Sequence, residues 1–411
     1  MQLFRGMLHH PVLGHRHYPS GCNIPVEVGR SNFADYVERS RDMLHRFHSK
    51  AAPINLEQIV DGNAPFELKP TVACSGTNDK PYLRGVLLIH GLTDSPYFMR
   101  SLGAFFQENG FRVMAILLPG HGTQPGDLLD VSWRDWAGTV ASGIEMLSRE
   151  AEDIYMAGFS AGGTLSVYQS LQDNRVRGLF LFSPAFRISS RAALARFHKI
   201  YSWMMPSGKW LELKPDHDIY KYESFPKNAA AQMYALTRRV NDLLQQYNID
   251  IPVFVAASED DTTVSASATL EFISLTRNPV SKMVLYTTDA EQSSSILPEG
   301  KRVVDDLIGT AKLELVSSIF PEQRILSFSH TSIVLPPDDQ HYGVLGDYSN
   351  CVHYYPDDID KYAVCNNNPR QVLQGELTEK NLKAGIIRRL MYNPEFSSLR
   401  DSMRKFINLL P

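Results

Sequence analysis

Short continuous runs of apolar residues recur along the first two thirds of the chain, and segments with helical spacing separate several of them. The apolar runs cover residues 85–89, 111–118, 154–157, 178–182 and 252–257. The helical segments between the first four runs cover about 97–109, 133–149 and 161–173. Apolar runs of this kind are typical of strands buried on both faces. Their alternation with helices predicts an α/β fold, with a mostly parallel central sheet flanked by helices.

Other patterns precede, interrupt and follow this alternation. An amphipathic helix is predicted for residues 32–48, whereas residues 1–30 have no regular periodicity. An aromatic and Met-rich stretch at 186–250 follows the fourth apolar run and includes a helical pattern at 229–246. The remaining irregular stretches are 288–323 and 336–370, and the remaining predicted helices lie near 377–391 and 394–409.

The composition of the 411 residues is that of an ordinary globular protein, with 43% hydrophobic and 21% charged residues. Lys and Arg number 41 against 45 Asp and Glu, so the net charge of −4 offers no electrostatic footprint for nucleic acid. No apolar stretch is long enough for a membrane-spanning helix, and residues 1–30 hold no apolar run of signal-peptide length. We therefore expect a cytoplasmic protein with no nucleic-acid partner and no integral membrane segment.

The cysteines do not form a metal-binding or redox motif. None of Cys22, Cys74, Cys351 and Cys365 belongs to a C-x-x-C pair, so neither a zinc ribbon nor a thioredoxin-type site is predicted. Cys351 and Cys365 are close enough in sequence to form a disulfide. Without an export signal, however, separate reduced thiols are the favoured interpretation. No histidine or acid cluster has the spacing of a metal site, so no metal is expected.

A G-x-S-x-G motif at 158–162 follows the apolar run at 154–157 and opens the helical segment at 161–173. A serine on a tight strand-to-helix turn has a strained backbone, and small residues two positions before and after it let neighbouring backbone approach. The N–H groups at the start of the following helix point toward a developing oxyanion. Such motifs also arise by chance, and the strand–turn–helix context is what favours Ser160 as a nucleophile over an ordinary glycine-rich turn.

A second candidate element is His90-Gly91-Leu92, which directly follows the apolar run at 85–89. A loop in this position can supply a backbone N–H from Leu92 beside that of Ala161. Two donors aimed at one oxygen are what the tetrahedral intermediates of acyl transfer require. Leu92 and Ala161 are therefore the candidate oxyanion-hole donors. His90 itself is interpreted as a structural histidine of this loop rather than as a proton-transfer group.

The order and spacing of several motifs carry a family resemblance. The motifs are HGLTDSP at 90–96, LPGHGT at 118–123 with Pro125, WRDW at 133–136 and GFSAG at 158–162. The stretch 85–172 resembles the α/β-hydrolase superfamily, specifically its bacterial carboxylesterase and monoglyceride-lipase branch, and the likeness extends more loosely to about 275. Residues 1–80 and 285–411 match it poorly, apart from one histidine. The resemblance implies a catalytic triad in the chain order serine, acid, histidine.

The resemblance implies that the acid follows the apolar run at 252–257, about three residues before an apolar residue. That spacing selects Asp261, with Val264 as the apolar residue, and leaves Asp260 as the alternative one position earlier. An acid in this position holds the tautomer of the imidazole and offsets its transient positive charge.

Only three histidines, His330, His341 and His353, follow the acid. His330 ends the segment 324–329, which alternates like a strand, and a histidine at the carboxyl end of a strand can reach the serine. The family pattern implies the same residue, whereas His341 and His353 are expected to be exposed loop histidines. Residues 282–287 also look like the strand expected before the histidine. In that case 288–323 is an insertion, and 324–329 is an extra or continuing strand.

The resemblance also suggests how the remaining sequence is organised. Residues 81–185 and 251–411 are predicted to form one catalytic core, on which an N-terminal extension of residues 1–80 packs. The family uses insertions at the position of 186–250 as a lid over the nucleophile, and apolar lids suit acyl chains. We therefore predict that 186–250 forms an inserted helical cap.

These features predict a serine hydrolase of carboxylic esters, either a carboxylesterase or a monoacylglycerol-type lipase. It would use a Ser160–Asp261–His330 triad and an acyl-enzyme intermediate, with a small ester or lipid-like substrate and no cofactor.

Several alternatives share the same acyl-enzyme step, namely an aminopeptidase, a thioesterase and an acyltransferase. An aminopeptidase would need acids in the cap to hold a substrate amine. The available acids are Glu212, Asp216, Asp218 and Glu223. A non-catalytic binding protein on the same scaffold is the remaining alternative.

Overall fold

The computed structural model describes residues 13–22, 32–51, 55–71, 80–188, 206–289 and 312–410. Among these residues, twelve strands are present. They are β1 (Phe66–Leu68), β2 (Tyr82–Ile89), β3 (Phe111–Ile116), β4 (Ala151–Phe159), β5 (Val176–Phe182), β6 (Trp210–Glu212), β7 (Phe225–Pro226), β8 (Val253–Ser258), β9 (Lys282–Thr287), β10 (Leu313–Ser317), β11 (Leu373–Gly375) and β12 (Ile387–Arg389).

The α-helices of the described residues number ten. They are α1 (Phe33–Ala51), α2 (Leu56–Asn63), α3 (Arg100–Glu108), α4 (Trp133–Ser148), α5 (Ala161–Ser170), α6 (Lys227–Leu244), α7 (Ala266–Leu275), α8 (Ile359–Asn367), α9 (Glu379–Ala384) and α10 (Phe396–Ile407). None of these helices is long and apolar enough to cross a membrane.

Eight of the strands form one central sheet, in the order β1-β3-β2-β4-β5-β8-β9-β10. All neighbouring strands run parallel except β1, which pairs antiparallel with β3. Each of the five apolar runs forms a strand of this sheet, because strands covered on both faces need apolar side chains at successive positions. The predicted α/β fold with a mostly parallel central sheet is confirmed.

Successive residues of the central strands bury their side chains in two separate clusters. In β2, Leu87 and Ile89 belong to one cluster, which includes residues of α4, α5, α6 and α7. Val86 and Leu88 belong to the other cluster, which includes residues of α3 and α10. Helices therefore cover both faces of the sheet, which leaves the carboxyl ends of its strands as the edge where loops meet.

The last strand of the sheet is not the one that the alternation at 324–329 predicted. Residues 282–287 form β9, and its neighbour β10 comes from the stretch 288–323, which was predicted to be irregular. Within 324–329 only Ile325 makes β-bridges, to Phe320 and Gln374. The apolar residues of this segment serve packing instead, since the ring of Phe328 lies 4.6 Å from that of Tyr286.

The predicted helix at 377–391 is also wrong over most of its length. Helix α9 is short, and residues 387–389 leave it to form β12, which pairs in parallel with β11. Gly385 separates the two with a backbone angle φ of 155°, a value that side-chain-bearing residues rarely adopt. The second predicted helix, at 394–409, agrees with α10.

Cys351 and Cys365 form a disulfide, so the prediction of two separate thiols is wrong. Both residues are fully buried, in a small cluster with Tyr354 and Val372. The prediction of reduced thiols rested on the composition of residues 1–30, whereas the fold brings the two Cα atoms to 6.0 Å, within the range that a disulfide needs.

Candidate active site

Ser160 lies at the turn between β4 and α5, at the carboxyl edge of the central sheet. Its backbone has φ 53° and ψ −114°, so a residue with a side chain occupies a region that is usually left to glycine. The Ser160 N–H donates to the carbonyl of Phe182, at the end of the neighbouring strand β5, at 2.8 Å. This contact and the helix that follows hold the strained turn, as strain at functional sites requires.

The two glycines of the motif allow close approach of backbone. A Cβ atom on Gly158 would lie 2.3 Å from the carbonyl carbon of Gly162. A Cβ atom on Gly162 would lie 2.1 Å from the carbonyl oxygen of Ile89, at the end of β2. Both distances are far below van der Waals contact, so the turn packs against the adjacent strand only with glycine at these positions.

The structure brings Ser160, His330 and Asp261 into one hydrogen-bonded row. Ser160 Oγ lies 2.9 Å from His330 Nε2, and His330 Nδ1 lies 2.6 Å from Asp261 Oδ2. With the proton of the neutral imidazole on Nδ1, Nε2 accepts the hydrogen bond of the serine hydroxyl. Ser160 is 7% exposed and His330 5%, so their contact is largely shielded from water.

The loop after β8 distinguishes Asp261 from its neighbour Asp260. Asp261 Oδ1 accepts hydrogen bonds from the backbone N–H groups of Thr263 and Val264, at 2.8 and 2.9 Å, which leaves Oδ2 for the imidazole. Asp260 Oδ2 is buried with no hydrogen-bond partner among the described residues. Burial, together with the charges of Glu259 and Glu376, raises the pKa of Asp260 to about 6. Asp261 is therefore the acid that contacts His330.

The candidate oxyanion donors lie on two elements that flank Ser160. Ala161 is the first residue of α5, where N–H groups have no partner within the helix. Within the described parts of the chain, neither its N–H nor that of Leu92 donates a hydrogen bond. The Leu92 carbonyl lies 2.6 Å from His121 Nε2.

Residues of the predicted cap hold the loop that carries Leu92. The Lys221 ammonium donates to Thr93 Oγ1 at 2.6 Å and also binds the Asp94 carboxylate. The backbone N–H of Tyr222 donates to the Thr93 carbonyl at 2.8 Å. The conformation of this loop therefore depends on the segment around 221–222 as well as on β2.

His90 contacts backbone through both ring nitrogens. Nδ1 lies 2.8 Å from the Gly91 carbonyl, and Nε2 accepts from the N–H of Leu118 at 3.1 Å. Burial and the neighbouring His121 hold the pKa of His90 well below its usual value. A neutral ring occupied in this way is suited to join the two loops, which is the interpretation that the sequence favoured.

The expectation that His341 is an exposed loop histidine is wrong. His341 is buried, and its Nε2 lies 3.2 Å from Asp218 Oδ1, which also accepts from the hydroxyl of Tyr342. His353 is half-buried rather than exposed, and burial with the nearby Arg389 lowers its pKa to about 4. The polar residues around these histidines predicted exposure. The prediction failed because residues distant in the chain cover both side chains.

Sequence analysis missed two residues that contact the site. Glu376 accepts a hydrogen bond from the backbone N–H of His330 at 3.0 Å. Arg389 donates to Glu376 and to the hydroxyl of Thr263 on the acid loop, at 2.8 and 2.7 Å. Arg389 lies in the stretch predicted to be a helix, 377–391, and Glu376 directly precedes it. Two residues thirteen positions apart along a helix would not be in contact.

Part of the predicted cap is described. Helix α6 packs its apolar residues, among them Met233, Leu236 and Val240, into the cluster on one face of the sheet. Residues 189–205, the aromatic and Met-rich part of this stretch, lie outside the described residues. Within the described ranges, no three His, Cys, Asp or Glu side chains converge as a metal site needs.

A parallel sheet with a serine on a strained strand-to-helix turn, facing a histidine and an acid on later loops, defines an α/β-hydrolase. The family model described as "serine aminopeptidase, S33" matches residues 82–288, half of the chain. The chain therefore belongs to this family of lipase- and esterase-like α/β-hydrolases, and the predicted family resemblance is confirmed.

Two curated relatives are similar to part of the chain. A thermostable monoacylglycerol lipase of Bacillus sp. (strain H-257) is 29% identical over 44% of this chain and 71% of its own length. A carboxylesterase of Bacillus subtilis (strain 168) is 25% identical over 45% of this chain and 75% of its own. A solved structure of a metagenome-derived lipolytic enzyme covers 62% of this chain and 87% of its own, at 21% identity and a TM-score of 0.43. At the level of the family, the two curated relatives support ester hydrolysis.

Proposed function

We propose that the protein hydrolyses carboxylic esters through an acyl-enzyme on Ser160, with His330 as general base and Asp261 as the acid that orients it. The observation that carries this proposal is the continuous row of two hydrogen bonds, 2.9 Å from Ser160 to His330 and 2.6 Å from His330 to Asp261. A nucleophile, a base within hydrogen-bond reach and a third group that orients the base are the parts that nucleophilic catalysis needs.

In the first half-reaction, Ser160 Oγ attacks the carbonyl carbon of the ester while its proton moves to His330 Nε2. The carbonyl oxygen becomes an anion that accepts from the N–H groups of Leu92 and Ala161. As the tetrahedral intermediate collapses, the bond to the alcohol oxygen breaks and His330 gives its proton to the leaving alcohol.

In the second half-reaction, water replaces the alcohol. His330 takes a proton from the water as its oxygen attacks the acyl carbon, and then returns that proton to Ser160 as the free acid leaves. The Asp261 carboxylate stabilises the imidazolium in both halves, while its other oxygen is held by the N–H groups of Thr263 and Val264. In both halves, the proton in transit is carried by His330 Nε2.

The substrate class that the relatives support is a small or lipid-like carboxylic ester. One relative is named a monoacylglycerol lipase and the other a carboxylesterase. A p-nitrophenyl ester series of increasing acyl length, measured beside a monoacylglycerol series, separates these two possibilities. Preference for long monoacylglycerols identifies the lipase type, and preference for short acyl groups identifies the esterase type.

Three of the four acids that an aminopeptidase would use are already engaged, and the fourth, Glu212, is exposed. Asp216 accepts from the N–H groups of Glu223 and Ser224, and Asp218 binds Tyr342 and His341. Glu223 accepts from the hydroxyl of Tyr348 at 2.6 Å. At Asp216, Asp218 or Glu223 a substrate amine would have to displace these partners, which supports ester over peptide substrates. Hydrolysis of aminoacyl p-nitroanilides faster than of the esters would reverse this assignment.

The test of the proposed function combines hydrolysis with covalent labelling. A fluorophosphonate probe is expected to label the wild-type protein at Ser160, while Ser160→Ala takes up no label and hydrolyses no ester. His341→Ala serves as a matched control for His330→Ala, because it removes a buried histidine elsewhere. Full ester hydrolysis by Ser160→Ala would contradict the proposal, and absence of labelling and hydrolysis in the wild type would favour the non-catalytic scaffold.

A further inference from the structure

Two oppositely charged side chains from the C-terminal region meet beside His330. Glu376 directly follows β11 and Arg389 ends β12, so the parallel pairing of these short strands brings together residues thirteen positions apart. The side chain of Glu376 is fully buried and that of Arg389 is 18% exposed. Burying an ion pair costs desolvation energy, and such a pair persists where its groups are also hydrogen-bonded.

The pair binds both loops that carry the proposed base and acid. Glu376 Oε2 accepts from the backbone N–H of His330 at 3.0 Å, and Oε1 accepts from the N–H of Leu377 at 2.7 Å. Arg389 Nη2 donates to Glu376 Oε2 and to Thr263 Oγ1. The backbone N–H of Thr263 in turn donates to Asp261 Oδ1. A chain of four hydrogen bonds therefore runs from the His330 backbone to the Asp261 carboxylate.

We propose that Glu376 and Arg389 are positioning residues that hold His330 and Asp261 at the geometry needed for proton transfer. This inference rests on the proposed function, because it concerns the same serine, histidine and acid. The two residues act through the backbone of His330 and the hydroxyl of Thr263, so neither is a catalytic residue. They lie beyond residues 82–288, so the family match does not include them.

The pair also balances charge next to the imidazole. Burial alone raises the pKa of Glu376, but the Arg389 charge and the donated hydrogen bonds hold that pKa below the usual value. Removing one partner leaves one uncompensated charge, which favours or disfavours the imidazolium according to its sign. Among the described residues, the other titratable groups that interact with the pair are Asp260 and Asp261 on the acid loop, Glu212 of β6 and His353.

The experiment measures pH profiles of kcat/KM for single and double variants with a p-nitrophenyl ester. Glu376→Gln keeps an acceptor for the His330 N–H but leaves the positive charge of Arg389 uncompensated, which disfavours the imidazolium. The acid limb of the pH profile is therefore expected to move to lower pH by about half a pH unit to one pH unit. Arg389→Met leaves a negative charge, which favours the imidazolium, so the acid limb is expected to move up. In both variants kcat is expected to fall about 10- to 100-fold with KM little changed, because displaced reacting groups lose rate rather than binding.

Rescue variants separate positioning from simple loss of structure. The double variant Glu376→Gln/Arg389→Met removes both charges and is expected to return the acid limb toward its wild-type position. Arg389→Lys keeps the charge and is expected to keep the limb in place while losing part of kcat, since an ammonium lacks the planar fork of a guanidinium. Thermal unfolding followed by circular dichroism reports the stability of each variant.

Matched controls come from exposed ion pairs of the same region. Glu379→Gln breaks a pair with Lys383, and Arg404→Met breaks a pair with Asp401. These variants make the same chemical changes away from the site and are expected to keep the wild-type profile, since exposed pairs contribute little.

The outcomes distinguish this inference from the proposed function. If Ser160→Ala abolishes hydrolysis but Glu376→Gln and Arg389→Met leave kcat and the acid limb unchanged, the inference is overturned and the proposed function stands. Loss of kcat that follows loss of thermal stability, with an unmoved limb, also overturns it. Hydrolysis that does not depend on Ser160 overturns both. Opposite shifts of the limb, restored in the double variant, support the inference.

Discussion

The part of the chain that matches the family, residues 82–288, and the C-terminal region, residues 312–410, contribute to the site in different ways. The matching part contains six parallel strands of the central sheet and positions Ser160 and Asp261 at the carboxyl ends of β4 and β8. The C-terminal region contributes His330 from a loop, supported by two short strands and a disulfide.

The difference shows that the hydrogen-bonded row depends on two kinds of support. Ser160 is held by backbone contacts, since its N–H binds the Phe182 carbonyl and Gly162 lets the turn approach the end of β2. His330 is held by side chains, since its N–H binds a buried carboxylate that is itself paired with Arg389. The matching part therefore carries the proposed nucleophile, whereas the C-terminal region carries the proposed base and the ion pair that contacts its backbone.

The largest expected effect tests whether both regions are indispensable. Ser160→Ala in the matching part and His330→Ala in the C-terminal region are each expected to lower kcat by at least about 10⁴-fold. The double variant is expected to be no slower than either, because the two residues act as a unit. Steady-state ester hydrolysis measures all three. A His330→Ala variant with more than a tenth of the wild-type kcat would show that the C-terminal region does not supply the base.

The next effect tests the disulfide that closes part of the C-terminal region. Replacing Cys365 by Ser is expected to lower the free energy of unfolding by about 3 kcal/mol, because the unfolded chain loses a loop constraint. Urea unfolding measures this change. Cys22→Ser, at the described free thiol, is the control and is expected to leave stability unchanged. Equal stability of Cys365→Ser and wild type would mean that the bond contributes nothing to this region.

A third effect tests the backbone packing of the matching part. Gly162→Ala places a methyl group 2.1 Å from the Ile89 carbonyl, and we expect a loss of about 1 to 3 kcal/mol in stability together with most of the activity. Gly138→Ala is the matched control, since a Cβ atom at this exposed position of α4 meets no atom within 4 Å. That control is expected to stabilise the helix by about 0.5 to 1 kcal/mol. An active, stable Gly162→Ala variant would contradict the packing argument.

The smallest effect tests the boundary between the two regions, where Glu223 of the matching part accepts from Tyr348 of the C-terminal region. Burial, with the charges of Asp218 and Asp216, raises the pKa of Glu223 from 4.5 to about 7. Between these two pKa values the folded state binds more protons than the unfolded state. The folded protein is therefore expected to lose stability as the pH rises from 4.5 to about 7.

Glu223→Gln removes this titration and still accepts from Tyr348. The variant is expected to be about 1 kcal/mol more stable than wild type at pH 8, with no such gain at pH 4. Urea unfolding at the two pH values measures the difference, and the exposed Glu379→Gln variant is the control. A gain of equal size at both pH values would show that titration of Glu223 is not its cause.

Sequence patterns were reliable where burial alone decides the structure. The apolar runs became strands of the central sheet because a strand covered on both faces needs apolar side chains regardless of which helix covers it. Ser160 was recognisable because its motif records a local requirement, namely small residues at a tight turn. Asp261 and His330 followed from spacing and family resemblance, and their catalytic roles stay a prediction that the variants above test.

Sequence patterns predicted the wrong structure where contacts between distant residues determine it. Residues 377–391 have helical propensity, yet residues 387–389 pair with β11, a contact between separate segments that local propensity does not encode. The alternation at 324–329 reflects packing of Ile325 and Phe328 rather than sheet pairing, since β10 occupies the place beside β9. His341 looked exposed in a polar stretch, but Asp218, more than one hundred residues earlier, covers it.

The sequence by itself determined the class of fold and the nucleophilic turn, because both follow from interactions between residues close together in the chain. The tertiary structure alone decided the pairing of Cys351 with Cys365 and the meeting of Glu376 with Arg389. It also decided the contact of that ion pair with the His330 backbone. These contacts join segments that are separated in the sequence, so no local pattern predicts them. They form only when the chain folds.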